Sequence, residues 1–530
     1  MQYYRDVREH VQALEAKGKL VRVKREINKD TELMPLVRWQ FRGLPESERK
    51  AFLFENVIDS KGKKYNSQVL IACYAASREV YAIGMMCEPD HIQERISEAI
   101  AHPIKPEIVS HGPVHEEIHM GNGLLEHGGL GEIPVPISTP GFDNAPYLSA
   151  PNWVSKDPES GIINIGVYRT MIKSPTRTGI NAPPGQDLRT QWERCRKKGI
   201  PLQAAIVIGP TPAVSYAGVV RYPYEVDEYA IAGGIAGEPI KLVKCKTVDI
   251  EVPATAELVI EGELPTDVME REGPFGEYTG FMGLEFISPY FNVTCITHRI
   301  NPIYTGYLSQ FPPSESSKIR GIGEEALLFK FLRYDCGIQG VKAVAFHESS
   351  GSMAMCVIQL KKSHNAQAWQ VLNGAITIVA WRKWVIVVDE DVDPRDMDSV
   401  TWALSYRVQP DRDIRLVKGQ MSALDPSVSP AGVGDGDYKK YPPPHGNSAM
   451  LIDATIKWPY PPVSLPAKGF MENAKKIWDE LGLPELKPKK PWYGYDLGAW
   501  TKELEEEAAL ATQGEHYKTG EKLAKQRIKL

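Results

Sequence analysis

Apolar residues near the start of the chain recur at helical spacing: Val7, Val11 and Leu14 share one face at i, i+4 and i+7. Gly18 suits the left-handed position that closes such a helix, and Leu20-Val21-Arg22-Val23 follows as a strand. Further αβ alternation runs to about residue 108, so residues 1–110 are expected to form an N-terminal α/β domain. From 111 to 315 the texture changes. Short β-rich runs (Ala204–Ile208, Leu242–Cys245, Ala256–Ile260, Tyr290–Thr297) are punctuated by Gly and Pro, the pattern of a barrel or sandwich with long loops. After Pro312-Pro313-Ser314 the helical period resumes from Gly323 to Leu332, and Trp384–Asp389 reads as a buried strand ending in acids. Residues 316–490 are therefore expected to form a C-terminal α/β domain. Near its end, Ala467, Phe470, Ala474, Ile477, Trp478 and Leu481 make one apolar helical face closed by Gly482. Residues 491–530 form a charged extension with a helix around Thr501–Leu510, which has little core of its own and points to packing on another subunit.

Length changes this picture little: 530 residues suit about three domains. A net charge of −5 gives no general attraction to nucleic acid or anionic membrane, so an anionic ligand must be held by local basic groups. The N-terminus lacks a basic-then-apolar signal pattern. The longest weakly charged stretch, Ala204–Val220, contains Pro210 and Pro212, which argue for buried strands and a turn rather than a membrane span. Seven scattered cysteines, odd in number and never spaced CxxC, fit reduced thiols in a cytoplasmic protein and exclude a zinc ribbon or disulfide scaffold.

Two motifs tempt and fail. His115-Glu116-Glu117-Ile118-His119 matches the HExxH spacing of zinc proteases, which needs both histidines one turn apart on a helix. Gly112-Pro113 before it and Gly121-Asn122-Gly123 after it break any such helix, and no third ligand is evident, so these read as surface histidines on a strand or loop. Gly432-Val433-Gly434-Asp435-Gly436 lacks the strand and helix of a dinucleotide-binding turn.

Chemistry concentrates elsewhere. Asp157-Pro158-Glu159-Ser160-Gly161 makes a turn into Ile162-Ile163-Asn164-Ile165-Gly166-Val167-Tyr168-Arg169. Period two puts Asn164 and Arg169 on opposite faces unless the strand breaks. In Glu272-Gly273-Pro274-Phe275-Gly276-Glu277, two carboxylates flank a tight turn that can aim both into one cleft. Close carboxylates resist double ionisation, and a nearby arginine then sets which keeps its proton. An exposed acidic loop is the bland alternative, and Glu225-Val226-Asp227-Glu228 reads equally as a metal ligand or an acidic turn.

Taken in order, Asp-Pro-x-x-Gly-x-x-Asn-x-Gly-x-Tyr-Arg, Glu228, Leu242–Cys245, Val252–Glu257 and Glu272–Glu277, with Trp402-Ala403-Leu404 and Ile452–Trp458 behind them, resemble the UbiD decarboxylase family. The resemblance runs from the first helix to about residue 485. It implies a central split β-barrel related to flavin reductases between the two α/β domains, and a C-terminal helix that joins subunits into a dimer or hexamer. It also implies prenylated FMN as cofactor, delivered by a flavin prenyltransferase, with its phosphate held through a divalent metal (Mn²⁺ or Mg²⁺, Fe²⁺ as a further option) and K⁺. By position, cofactor contacts would come from Asn164, Ile165, Gly166, Val167 and Arg169, from Gln186, from Ala217 and Gly218, and from Glu228.

The metal ligands implied are Asn164, Glu228 and a residue that is usually histidine; here the matching Pro184-Gly185-Gln186-Asp187 carries Asp187, so that Asp187 or Gln186 takes that place or the metal site is weakened. Arg169, Glu272 and Glu277 match the catalytic arginine–glutamate network. Arg169 would orient the substrate carboxylate, and Glu277 would return a proton to carbon after CO₂ leaves into a covalent prenyl-flavin adduct. The substrate implied is an aromatic or α,β-unsaturated acid, in either reaction direction. The basic run Arg177, Arg189, Arg194, Arg196, Lys197 and Lys198 reads as a solvated face, or as a receptor for a coenzyme A thioester such as a phthaloyl-CoA type. An ordinary FMN oxidoreductase and a non-catalytic subunit of a multi-component carboxylase are the competing classes.

Overall fold

The computed structural model describes residues 2–378, 382–418, 424–428 and 448–526. The glycine run 432–436 lies outside them. The fold is a mixed α/β multidomain arrangement built on three main sheets.

The first helix, Val7–Ala16, buries Val7, His10, Val11 and Leu14, and Asp6 caps it by accepting from the Glu9 amide. Gly18 adopts φ +68°, and the strand Leu20–Asn28 follows. That strand runs parallel to Ala51–Ile58 in a five-stranded sheet. The last strand of this sheet comes from far along the chain: Ile303–Gly306 pairs parallel with Gln68–Ile71. The chain thus returns to its first sheet after completing the second, and one continuous hydrophobic core underlies both.

The second sheet has nine antiparallel strands and curls as an open half-barrel. Its long members Leu202–Ile208, Leu258–Leu264 and Tyr290–His298 coincide with the β-rich runs of the sequence. The proline-marked stretch 204–220, expected as buried strands and a turn, holds one buried strand and a turn, and then a helix in place of further strand. After Leu202–Ile208, Thr211 leads into the buried helix Pro212–Gly218, with Pro212 at the first helical position, where its missing N–H costs nothing.

The helix Glu315–Lys330 links this body to the third sheet. Its early residues Ile319, Ile322 and Ala326 join the large core, while Leu328 and Phe329 join a second one. In the third sheet, Trp384–Asp389 lies between Met355–Leu360 and Ser448–Ala454. Val385 and Val387 face one apolar cluster, Ile386 and Val388 another, as expected for a strand covered on both faces. The helix Lys468–Glu480 buries none of its residues, and its apolar face leaves Phe470, Ile477 and Leu481 exposed. Two charged helices, Lys502–Thr512 and His516–Ala524, follow and are joined by Lys522 to Glu507 at 2.8 Å. Among the described residues no helix is long and apolar enough to cross a membrane.

Candidate active site

The strand Ile163–Val167 pairs with Asn152–Lys156 and then stops; Tyr168 and Arg169 bridge to the next strand, Thr170–Ser174. That two-residue break resolves the period-two conflict, because Asn164 and Arg169 need no longer alternate on one continuous strand.

Arg169 is buried at 8% exposure and forks onto Glu272, with Nε 3.0 Å from Oε1 and Nη2 2.7 Å from Oε2. Its remaining nitrogen, Nη1, donates to Glu277 Oε1. The guanidinium also lies over the rings of Phe275 and Phe286, each 5.5 Å away. Sequence-predicted Arg169, Glu272 and Glu277 therefore meet in one buried network. Burial pushes the Glu277 carboxyl above its usual range, and the Arg169 charge opposes that push. Glu277 thus sits where a proton can be held or given up.

The turn between the two glutamates demands glycine. Gly273 has φ +102°, and a Cβ there would lie 2.8 Å from the Leu284 carbonyl oxygen. Strand residue Gly283, opposite Phe275, is equally constrained: a Cβ would lie 2.9 Å from Arg169 Nη1 and 3.2 Å from Glu277 Cγ. Sequence reasoning passed over Gly283. It also passed over Asp143 and Asn144, which hold the turn from outside. Asp143 accepts from the Gly276 amide at 3.3 Å and the Thr139 amide at 2.6 Å, while Asn144 donates to the Gly273 carbonyl at 2.8 Å. Burial raises Asp143 to about 6. The turn-rich Pro140-Gly141-Phe142-Asp143-Asn144 was the available signal.

The second cluster centres on the buried Tyr168, whose ring environment includes Asn164, Asp187 and Glu228. Asp227 caps the helix Glu228–Ala236 by accepting from the Tyr229 and Ala230 amides, which turns Glu228 inward. Glu228 Oε2 accepts from the Ile165 amide at 3.2 Å, and burial, with Asp187 adding repulsion, raises Glu228 to about 8. The ambiguous acidic stretch therefore divides into an exposed cap, Asp227, and a buried acid, Glu228. Asp187 is the first residue of the helix Asp187–Lys198; burial raises its pKa and Arg221 opposes that. Arg221 also donates to the Gly185 carbonyl at 2.9 Å, fixing the turn before Asp187. Gln186 precedes the helix without capping it through its side chain.

Ala217 and Gly218 end the buried helix Pro212–Gly218, and a Cβ on Gly218 would lie 3.0 Å from Asn152 Oδ1 and 3.1 Å from Ile165 Cγ2. Ile165 and Gly166 are buried and Val167 half-buried; a Cβ on Gly166 would strike the Tyr168 ring at 2.5 Å. Buried amide groups at this junction lack partners: Asn164 Nδ2, and both side-chain atoms of Asn152. Buried polar groups are normally satisfied, so unpaired ones beside two raised carboxylates fit a polar, cation-accompanied ligand. Asn164, Asp187 and Glu228 supply oxygen donors of the kind that hold Mg²⁺ or Mn²⁺.

The basic run is engaged elsewhere. Arg189 pairs with Glu193 at 2.9 Å, Arg194 with Asp157, and Arg177 with Glu270 at 2.9 Å, while Lys198 donates to the Pro158 carbonyl and Arg196 lies over Trp192. Lys197 is exposed on the same helix. The HExxH histidines are not on a helix: His115 ends a 3₁₀ turn and His119 sits in the strand Glu117–Met120. Contrary to the surface expectation, His119 is buried, because its strand pairs with Tyr290–His298.

A mixed α/β fold thus encloses a buried arginine forked between two glutamates, and comparison with known proteins makes the chain a carboxy-lyase. The chain belongs to the UbiD family. Profiles for the 3-octaprenyl-4-hydroxybenzoate carboxy-lyase N-terminal domain, Rift-related domain and C-terminal domain match residues 11–100, 107–311 and 317–454. The phenolic acid decarboxylase of Bacillus subtilis (strain 168) is 30% identical over 468 residues, 85% of this chain and 92% of that protein. Among solved structures, the UbiD-class enzyme HmfF from Pelotomaculum thermopropionicum in complex with FMN aligns with a TM-score of 0.74 at 33% identity, covering 85% of this chain and 94% of that one. Sedimentibacter hydroxybenzoicus vanillic acid decarboxylase aligns with a TM-score of 0.74 at 27% identity, covering 91% and 100%.

Proposed function

We propose that this carboxy-lyase interconverts an aromatic or α,β-unsaturated carboxylic acid and CO₂ plus the decarboxylated product, using prenylated FMN. The observation that carries the reading is the buried fork of Arg169 between Glu272 and Glu277. When bound, the prenylated flavin supplies an electrophilic carbon that accepts the electrons released as CO₂ departs. Everything else falls to this chain's side chains. Arg169, fixed by its two bonds to Glu272, presents a permanent charge that orients the substrate carboxylate. Glu277 shares that arginine and supplies the proton the product carbon needs, and in the carboxylating direction it takes that proton away. Burial of all three groups strengthens these interactions by excluding water.

Asn164, Asp187 and Glu228 would hold the divalent ion that accompanies the flavin phosphate, and Asn164 Nδ2, without a hydrogen-bond partner, leaves a donor free at that site. Asp187 stands where the family usually has histidine. Its extra negative charge is opposed by Arg221, so the exchange keeps a hard ligand in place. Ile165, Gly166, Val167, Ala217 and Gly218 line the junction next to these donors, and Gly218 lets helix and strand approach within contact. Because Arg177, Arg189 and Arg194 of the basic run are already ion-paired, a free acid is favoured over a coenzyme A thioester.

The test is Glu277→Gln in protein co-produced with a flavin prenyltransferase. The expected result is a folded protein with its flavin content intact and CO₂ release from aromatic acids reduced by about 100-fold or more. Undiminished turnover would remove Glu277 from the reaction.

A further inference from the structure

We propose that His119, His127 and Glu132 form a binding site for a zinc-class divalent ion beside the half-barrel strand Glu117–Met120, built from residues other than those of the catalytic cluster. One ligand atom from each of the three lies within 4.8 Å of the others. His119 projects from the strand Glu117–Met120, which pairs with the barrel strand Tyr290–His298. His127 caps the C-terminus of the short helix Asn122–Glu126, and Glu132 ends the 3₁₀ turn Gly129–Glu132. Three successive elements thus converge on one point.

The carboxylate is already seated against the imidazole, with His119 Nδ1 2.9 Å from Glu132 Oε2. Two ligands bound tetrahedrally to Zn²⁺ at about 2.0–2.2 Å sit about 3.3–3.5 Å apart. A few tenths of an ångström of opening therefore admits an ion in place of the direct contact between Nδ1 and the carboxylate. The His127 ring stacks on His119, with centroids 3.8 Å apart and planes 9° from parallel. That stack places the His127 nitrogens beside the gap, and a tilt of this exposed side chain brings a lone pair onto the ion. The ring of His127 makes no hydrogen bond among the described residues, so no existing bond opposes the tilt. His298 packs edge-on against His119 at 5.0 Å and closes the inner side, its own Nδ1 donating to the Arg299 carbonyl. Water would take the fourth position on the exposed side. Two imidazoles and one carboxylate favour Zn²⁺, Co²⁺ or Ni²⁺ over Mg²⁺ or Ca²⁺.

An ion here would staple the Asn122–Glu132 segment to the barrel edge. That segment also meets the turn of the Thr170–Ser174 hairpin, where the Leu130 amide donates to the Pro175 carbonyl at 2.8 Å. The HExxH spacing therefore marks a metal site through its second histidine alone.

The experiment uses full-length, flavin-loaded protein, stripped with chelator, dialysed against ZnCl₂ and freed of excess metal by gel filtration. Zinc and flavin per chain are measured for wild type, His127→Ala, Glu132→Gln and the control His364→Ala, an exposed histidine elsewhere. We expect one zinc fewer per chain in His127→Ala and Glu132→Gln, unchanged flavin in all four, and a zinc-dependent rise in melting temperature that only those two variants lose. Equal zinc counts in all four proteins, or zinc lost only in step with flavin, would overturn the assignment.

Discussion

Arg169 sets the chemistry at the scale of single residues. Its planar guanidinium reaches Glu272 through two nitrogens and Glu277 through the third, a geometry that lysine cannot reproduce. Arg169→Lys should keep the positive charge but lose the fork, and we expect turnover to fall by about 100-fold with the flavin retained. The pH dependence follows from Glu277. Burial holds its folded pKa above the ordinary 4.5, so the protonated, proton-giving form dominates at low pH and is lost as pH rises through the raised value. In the decarboxylation direction kcat should be level at acid pH and decline on the alkaline side, with a midpoint above 4.5. A rate that climbs with pH over that range would assign the limiting proton transfer to another group. Gly283 offers a third test, since a methyl group there presses on Arg169 Nη1 and Glu277 Cγ. Gly283→Ala should cost about tenfold or more in kcat while the melting temperature moves by only a few degrees, because a small displacement at reacting groups outweighs its cost in stability.

Among elements, the short turn from Glu272 to Glu277 depends on support from a loop more than 100 residues earlier, through Asp143 and Asn144. Removing the Asn144 side chain leaves the Gly273 carbonyl without that partner, at a cost of about 1 kcal/mol. Asn144→Ala should therefore lower kcat by roughly tenfold with unchanged flavin content, read by turnover and absorbance on the same sample. What the sequence disclosed follows the same division. Val7, Val11 and Leu14, the Trp384–Asp389 strand and the Glu272–Glu277 turn were readable because periodicity and local turn chemistry decide them. The inward aim of Glu228 and the burial of His119 were not, because each is decided by a partner remote in sequence. Pro210 does mark a turn, but Pro212 misled for a related reason: proline marks a helix start as readily as a turn, and only packing distinguishes the two.

For the whole molecule, the first sheet is completed by Ile303–Gly306 after the half-barrel is built, and the two share one core. The helix Lys468–Glu480 stands apart from that arrangement: its apolar face is present in the sequence and uncovered in the single chain. An exposed apolar face of this kind is a sign of association, and we expect a homo-oligomer. Replacing Phe470 and Ile477 together by Asp should lower the mass measured by light scattering to that of a smaller assembly, without loss of helix content. The account as a whole rests on the flavin that Asn164, Asp187 and Glu228 are proposed to anchor through a divalent ion. The most direct measurement is the mass of the cofactor released from protein co-produced with a flavin prenyltransferase under anaerobic conditions. Prenylated FMN is the predicted result; plain FMN, or no flavin at all, would contradict it.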